Sequence, residues 1–384
     1  SQYEEPVAQN GFIDIDSNGQ NKRIGIRRIH MEEDAGKLTH DPHQHKSLVD
    51  YNRTGVPLIE IVSDPDIRSP QESVDYLKKL RLILRYLDIC DGNMEEGSFR
   101  CDANISIRLK DDNALGTRTE LKNLNSFKFV EKALEFEIHR QQEILTEGGR
   151  IIQETRLYDP DRNITLSMRE KEEAHDYRYF PDPDLLPLII DEKWVETLKK
   201  SLPELPEVKK ERYVNKFHLP LYDAEMLTSS RELAEYFENC LKYYPQPKSV
   251  SNWIMGPLTG LLNLTGKTVF ECPVSPETLA KLLQMINNGL ISQSAAKIVF
   301  DEMARTGEPP DVIVEAKGLT QLNDTIRIEA VVKKVLSAHP KEVQDYKAGK
   351  SKLLGFFVGC VMKETQGKAN PGVVNGLVRK ALSE

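Results

Sequence analysis

Acidic residues in strand context are the side chains of this sequence best placed to do chemistry. In Val56-Pro57-Leu58-Ile59-Glu60-Ile61-Val62-Ser63, a two-residue period puts Glu60 on the face of Val56, Leu58 and Val62. A carboxylate among those side chains is costly unless it is paired, protonated or bound to a metal. Glu32, Glu33 and Asp34 close a second strand after His30-Met31, and Asp102 heads the polar face of a third. Neighbouring strand residues point to opposite faces, so Glu32 and Glu33 reach one ion together only across a bulge. These separated segments, rich in hard oxygen donors, predict a Mg2+ site built on a few carboxylates, with water and substrate phosphate completing the shell. The bland counterpart is a set of solvated or salt-bridged acids at strand ends.

Polar segments elsewhere can hold an anion beside such a cation. Glu120-Leu121-Lys122-Asn123-Leu124-Asn125-Ser126 places a cation and two amides at a strand-to-helix junction, where backbone N–H groups point outward. A helix cap accounts for the same residues equally well. In Asp176-Tyr177-Arg178-Tyr179-Phe180-Pro181, Arg178 can clamp a phosphate or carboxylate while the rings stack on a base, or it can plug a core through cation–π contact. Standard nucleotide motifs are missing. Gly260 and Gly266, before Lys267-Thr268, are separated by five residues where a phosphate loop has four, and they sit in helical context. His40, His43 and His45 have a zinc-like spacing, but with Pro42 among them and no second ligand group nearby they read as a surface turn.

The elements that must position these residues change character along the chain. Phe99 to Leu109 alternates as a half-buried strand, and Arg23 to Glu33, Val56 to Ser63, Thr117 to Asn123 and Leu185 to Ile190 have similar β-branched content. One helix opens at Ser69-Pro70-Gln71-Glu72 with a capping box and runs to Leu87. Another spans about Phe127 to Leu145 and stops at Gly148-Gly149. Beyond Ile190 helix periodicity takes over, in Glu225 to Tyr243, Pro276 to Asn287, Ser292 to Arg305, Asp324 to Ser337 and Gly349 to Thr365. The fold class is therefore α+β, strands first and helices after, on a chain of 384 residues long enough for two or three domains.

Composition narrows the function classes. No apolar run is long enough for a membrane span, and Ser1 to Asn10 lack the pattern of a signal peptide, so a cytoplasmic protein is expected. Five scattered cysteines without a CxxC pair encode neither a disulfide framework nor a cysteine zinc site. The net charge of -8 argues against nucleic acid until it is divided: Lys317 to Glu384 carry +6 and the rest -14. A basic tail on an acidic body suits a polyanion, or is simply a lysine-rich helix surface.

Motifs in one order carry a family resemblance. His30-Met31-Glu32-Glu33-Asp34-Ala35-Gly36-Lys37, the strand from Val56 to Ser63, Met94 to Asn104 (Met-Glu-Glu-Gly-Ser-Phe-Arg-Cys-Asp-Ala-Asn), Glu120 to Ser126 and Asp176 to Pro181 together resemble the B subunits of the tRNA-dependent amidotransferases. The resemblance covers the whole chain. It implies an antiparallel-sheet cradle domain over 1–198, an all-helical domain over 199–316 and a helical tail of the YqeY type over 317–384. It also implies the activity: ATP-dependent phosphorylation of the side-chain carboxylate of Glu-tRNA(Gln) or Asp-tRNA(Asn), then amidation by ammonia from a glutaminase A subunit, with a small C subunit completing a heterotrimer. By the same analogy the Mg2+ ligands are Glu32, Glu33 and Glu60, with Asp102 next. Lys122, Asn123, Asn125 and Arg178 are expected to contact ATP or substrate phosphate, and Lys333, Lys334, Lys347, Lys350, Lys352 and Lys363 to contact tRNA.

One departure from the family pattern bears on that reading. Its chains begin with a segment carrying a Gly-Leu-Glu-Val-His-type strand and, in many members, a cysteine-rich zinc knuckle; neither stands in this sequence. The expectation is a cradle that lacks its beginning, and the alternative function is a non-catalytic tRNA-binding or assembly module. The carboxylate set separates the two, because an RNA clamp has no use for an acid at Glu60. A free-standing phosphohydrolase would want DxH or HxD pairs bridging two metals, which the sequence does not offer.

Overall fold

The computed structural model describes residues 5–41, 46–170, 186, 188–321, 325–365, 367 and 369–383. It divides into two compact units, Ser1–Leu205 and Pro206–Glu384.

The first unit opens with a hairpin, β1 (Ala8–Ser17) and β2 (Gln20–Glu33), turned at Asn18-Gly19 with φ of 53° and 75°. Both turn residues are left-handed, the geometry that Asn-Gly supplies at least cost. A small hairpin of β3 (Lys37–Asp41) and β4 (Lys46–Asp50) follows, then β5 (Pro57–Ser63), which pairs antiparallel with β2 to give the order β1-β2-β5. After helix α1 (Pro70–Tyr86) come β6 (Ala103–Ile105), β7 (Thr119–Lys122), helix α2 (Phe127–Thr146), β8 (Glu154–Asp159) and β9 (Ile164–Glu170). These last strands form a sheet in the order β6-β7-β8-β9, in which β7 and β8 run parallel because α2 crosses between them. The α+β class holds, with one parallel pair among otherwise antiparallel described strands.

Local chemistry explains both helices. Ser69 caps α1 by accepting from Glu72 N at 3.2 Å, with Pro70 at the first helical position. The reciprocal bond of the capping box does not form: Glu72 Oε2 accepts instead from Arg68 N and from Lys22 Nζ, each at 2.7 Å, tying the helix start to β2. Ser126 caps α2 through Phe129 N at 3.1 Å. Val74, Tyr76, Leu77 and Leu80 of α1 and Val130, Ala133 and Leu134 of α2 are buried, and all but Val74 share one core with Ile13, Ile15, Ile24, Ile26, Leu121 and Tyr158. Each fully buried branched side chain there is worth about 1.5–3 kcal/mol.

Two of the expected strands are corrected. The strand from Phe99 to Leu109 shrinks to Ala103–Ile105, because only that stretch finds a partner, in β7. Leu186 and residues 188–190 form no strand, while the rest of Leu185 to Ile190 lies outside the described residues. Helix α3 (Glu192–Ser201) closes the unit.

The second unit is helical throughout its described elements: α4 (Pro206–Phe217), α5 (Leu221–Leu227), α6 (Arg231–Tyr243), α7 (Pro247–Trp253) passing through a π turn at Ile254–Leu258 into α8 (Thr259–Thr265), α9 (Pro276–Asn287), α10 (Gln293–Thr306) and α11 (Pro310–Lys317). The single helix expected over Glu225 to Tyr243 is broken at Thr228-Ser229-Ser230, where Ser230 caps α6 by accepting from Leu233 N. Gly266 ends α8 in the left-handed region, so the glycine-lysine pair there is a helix stop. A separate apolar cluster holds α12 (Thr325–Ala338), α13 (Pro340–Lys347), α14 (Leu353–Glu364) and α15 (Pro371–Ser383) around Ile328, Val332, Phe357, Val361, Val374 and Val378. All five cysteines are free thiols, and no described helix is long and apolar enough to cross a membrane.

Candidate functional site

A β-bulge decides where the acids of β2 and β5 point. Ile26 pairs with Ser63 and Arg28 with Val62, so Arg27 is the extra residue. Before the bulge the even-numbered Ile24 and Ile26 face the core; after it Ile29, paired with Ile61, does. His30 and Glu32 are thereby turned to the opposite face, the one on which Glu60 of β5 already stands, one residue from the core-facing Ile61. The bulge is clamped by the loop after β5: Gly25 N donates to Asp66 Oδ2 at 2.9 Å, and Arg27 Nε lies 3.1 Å from Asp64 Oδ1. A Cβ at Gly25 would stand 2.4 Å from Asp64 Oδ2, so any larger residue there would displace that carboxylate.

This geometry corrects the environment expected for Glu60. Its side chain shares a face with Leu58 and Val62, as the period requires, but that face is not the core, and Glu60 is 52% exposed. Its carboxylate is nonetheless partnered. His30, directly opposite in the ladder, places Nε2 2.8 Å from Glu60 Oε2 and 3.5 Å from Glu32 Oε1. One donor atom from each of His30, Glu32 and Glu60 lies within 4.8 Å of the others. The His30 ring is buried at 2% exposure and its Nδ1 has no hydrogen-bond partner. Glu33 belongs to the other face, paired with Pro57, and stands outside this group. His30 is the residue that the sequence reading missed; its signal was the two-residue spacing to Glu32.

Asp102 and Lys122 form a second, separate pair. They sit one position beyond the β6–β7 ladder, where Ala103 faces Leu121, and Lys122 Nζ donates to Asp102 Oδ2 at 2.7 Å. Glu120 Oε1 is 3.8 Å from the same ammonium. Next to them, burial and then the Asp102 charge push the Cys101 thiol up to about 12, so it stays protonated and is no nucleophile. Asn123 takes a left-handed φ of 66°, its Nδ2 donates to Tyr158 O, and its Oδ1 accepts from Asn125 Nδ2. These amides shape the turn into α2, whose first N–H groups include one already satisfied by Ser126. The two acidic centres are tethered through chain neighbours: Arg100, two residues before Asp102, donates to Asp34, two residues after Glu32.

The remaining candidates divide plainly. Arg178, with the whole stretch from Asp176 to Pro181, lies outside the described residues, as do His43, His45 and the side chain of His40. Lys333 and Lys334 of α12, Lys347, Lys350, Lys352 and Lys363 all lie in or beside the four tail helices. Lys333 pairs with Glu329, Lys334 with Glu364 and Lys350 with Asp345. Among the described residues no carboxylate stands within ion-pair distance of Lys347, Lys352 or Lys363.

Comparison with known proteins adds the family. Residues 1–196 match the family described as the GatB/GatE catalytic domain, and residues 235–382 match the GatB domain. Several curated relatives are named as the B subunit of an aspartyl/glutamyl-tRNA(Asn/Gln) amidotransferase. Those of Carboxydothermus hydrogenoformans and Geobacter sp. strain M21 are each 57% identical over all of this chain, which covers 80% of their length. That of Thermodesulfovibrio yellowstonii is 54% identical, again over all of this chain, with 81% of its own length covered.

Proposed function

Because this chain belongs to the family of aspartyl/glutamyl-tRNA(Asn/Gln) amidotransferase B subunits, we propose that it activates the side-chain carboxylate of Glu-tRNA(Gln), Asp-tRNA(Asn) or both with ATP, for amidation by ammonia from an A subunit. The observation that carries the reading is the meeting of His30, Glu32 and Glu60 on one face of a sheet. A carboxylate is a poor electrophile, and converting it to an acyl phosphate gives ammonia a leaving group. Two anions, the terminal phosphate and the aminoacyl carboxylate, must be held together while their repulsion is neutralised.

The donor set suits Mg2+ in its two carboxylates, and the imidazole suits the role of orienting them. Glu32 and Glu60 would hold the ion, His30 would fix Glu60 through Nε2, and Glu33 and Asp102 are the further carboxylates carried over from the family pattern. When bound, the cation supplies charge neutralisation at the phosphoryl oxygens. Lys122, which pairs with Asp102, would be the cation that meets an anion, and Asn123, Asn125 and Arg178 would complete the proposed ATP or phosphate contacts. The same reading takes residues 1–198 as the cradle, 199–316 as a helical domain and 317–384 as the tRNA-gripping tail, with A and C subunits as partners in a heterotrimer.

The test is ATP-dependent phosphorylation of mischarged tRNA by the chain assembled with A and C subunits. Phosphate transfer that disappears in Glu60→Gln, with tRNA binding kept, supports the reading. Equal acyl-phosphate formation by wild type and Glu60→Gln removes Glu60 from the site, and no transfer by any assembled form leaves the chain as a tRNA-binding module.

A further inference from the structure

Arginines from two distant segments converge on one carboxylate at the end of the face that carries His30 and Glu32. Asp34 N donates to Val56 O at 2.8 Å, so the β2–β5 pairing continues past Glu33 and Asp34 stays on the face of His30 and Glu32. Two strand residues span about 6.6 Å, which sets Asp34 roughly that far beyond Glu32. The Asp34 side chain is 11% exposed, with Arg100 Nη2 at 3.0 Å and Arg53 Nε at 3.5 Å from its Oδ2, while both arginine side chains remain about two-fifths exposed. Among the described residues, the ion pairs of both arginines go to Asp34 alone. One carboxylate cancels one guanidinium, leaving a local surplus of positive charge next to an acidic group.

Arg53 packs against the segment that leads to Arg100. Gly97 has φ of 82°, and a Cβ there would lie 2.2 Å from Arg53 Nη1. The segment leading to Arg100 is thus laid directly against Arg53, at a position that only glycine fills without strain. Each guanidinium carries a planar fork of N–H donors that matches a phosphate, and Asp34 holds the two forks side by side.

We propose that Arg53 and Arg100, gathered by Asp34, are an oxyanion clamp for the terminal phosphoryl group of ATP, set beside the cation held by Glu32 and Glu60. The clamp rests on the ATP-dependent reading above. Cation and guanidiniums then flank the transferred group and share its negative charge, which is the arrangement phosphoryl transfer requires.

The experiment measures binding of ATP, AMP and mischarged tRNA, each with Mg2+, to the full chain assembled with A and C subunits. Arg53→Gln and Arg100→Gln should each weaken ATP by at least about tenfold, with AMP and tRNA unchanged, because only ATP carries the group the clamp takes. Arg53→Lys and Arg100→Lys keep the charge without the fork and should fall between. They decide the matter if a glutamine variant fails to fold: folded lysine variants with the wild-type ATP-to-AMP ratio overturn the clamp. Glutamine variants that bind ATP as wild type does also overturn it while leaving the kinase reading intact. Lost tRNA affinity with retained ATP affinity assigns the arginines to tRNA phosphate and overturns it too. A wild type that binds no ATP sinks the reading, and the clamp with it.

Discussion

The Glu60 carboxylate lies 2.8 Å from Nε2 of His30, the residue directly opposite it in the β2–β5 ladder. The register that makes the pair depends on the bulge at Ile26–Arg28. Hydrogen-bonded neighbours of metal-binding carboxylates hold their rotamers, and losing one costs roughly 10–100-fold in metal affinity. His30→Gln should therefore weaken Mn2+ or Mg2+ binding by about that factor, and Glu60→Gln by more. Titration calorimetry of the free chain reads this without any turnover. Unchanged affinity in both variants would remove the metal site from this face.

How much of this was legible in the sequence depends on the link. Periodicity alone gave the faces of Glu32, Glu33 and Glu60, and the structure keeps Glu32 and Glu33 apart as that period demands. Pairing was not legible: that His30 meets Glu60 is a register, set by the bulge and by the Asp64–Asp66 clamp on Gly25. The expectation that Glu60 is submerged among apolar neighbours failed because the core takes the other face of β5, that of Ile61, and leaves Glu60 half exposed. The hairpin turn is legible in Asn18-Gly19, a pair that takes left-handed φ at low cost, and it implies β1 on one side of it. Phe99 to Leu109 kept its alternation but found a partner for only three residues, Ala103–Ile105. Alternation marks a segment able to pair; only the partner makes it a strand.

Helix α2 is fixed to its sheet by a charge buried completely. Glu137 is 0% exposed and accepts from Arg140 Nη2 at 2.6 Å, Gln141 Nε2 at 2.9 Å and Thr165 Oγ1 at 3.0 Å, with Arg156 Nε 3.5 Å away. Removing one partner of a buried ion pair strands the other, at about 3–5 kcal/mol. Glu137→Ala should destabilise the first unit by that amount, seen as a lowered thermal midpoint and as faster amide exchange in β8 and β9. A change within error would mean that the arginines are re-solvated in the variant.

Acid should loosen the second unit through Glu238. Burial alone raises its pKa, but hydrogen bonds from Lys209, Arg212 and Tyr213 outweigh that and hold it below the ordinary carboxylate value. A depressed folded pKa contributes stability that is fully present above the unfolded value, about 4.3, and is lost as pH falls through the folded one. Wild type should be more resistant to urea than Glu238→Gln at neutral pH, and the gap should narrow as pH falls below the unfolded value and close once it passes the lowered folded one. A gap that is constant with pH would show that packing, not charge, carries the difference.

The tail lysines divide into two sets that tRNA binding should distinguish. Lys333, Lys334 and Lys350 already face Glu329, Glu364 and Asp345, so a phosphate must compete with a carboxylate for each. Lys347, Lys352 and Lys363 have no such rival among the described residues. Releasing counterions is what makes a phosphate contact salt-dependent, at about 0.7–0.9 in the log–log slope per contact. Replacing Lys347, Lys352 and Lys363 together with alanine should flatten the slope by about two units or more, and replacing the other set should flatten it less. The glutaminase activity of the A subunit gives the control, since it should be indifferent to both. Equal slopes for wild type and both triple variants would assign these helices to a protein partner instead.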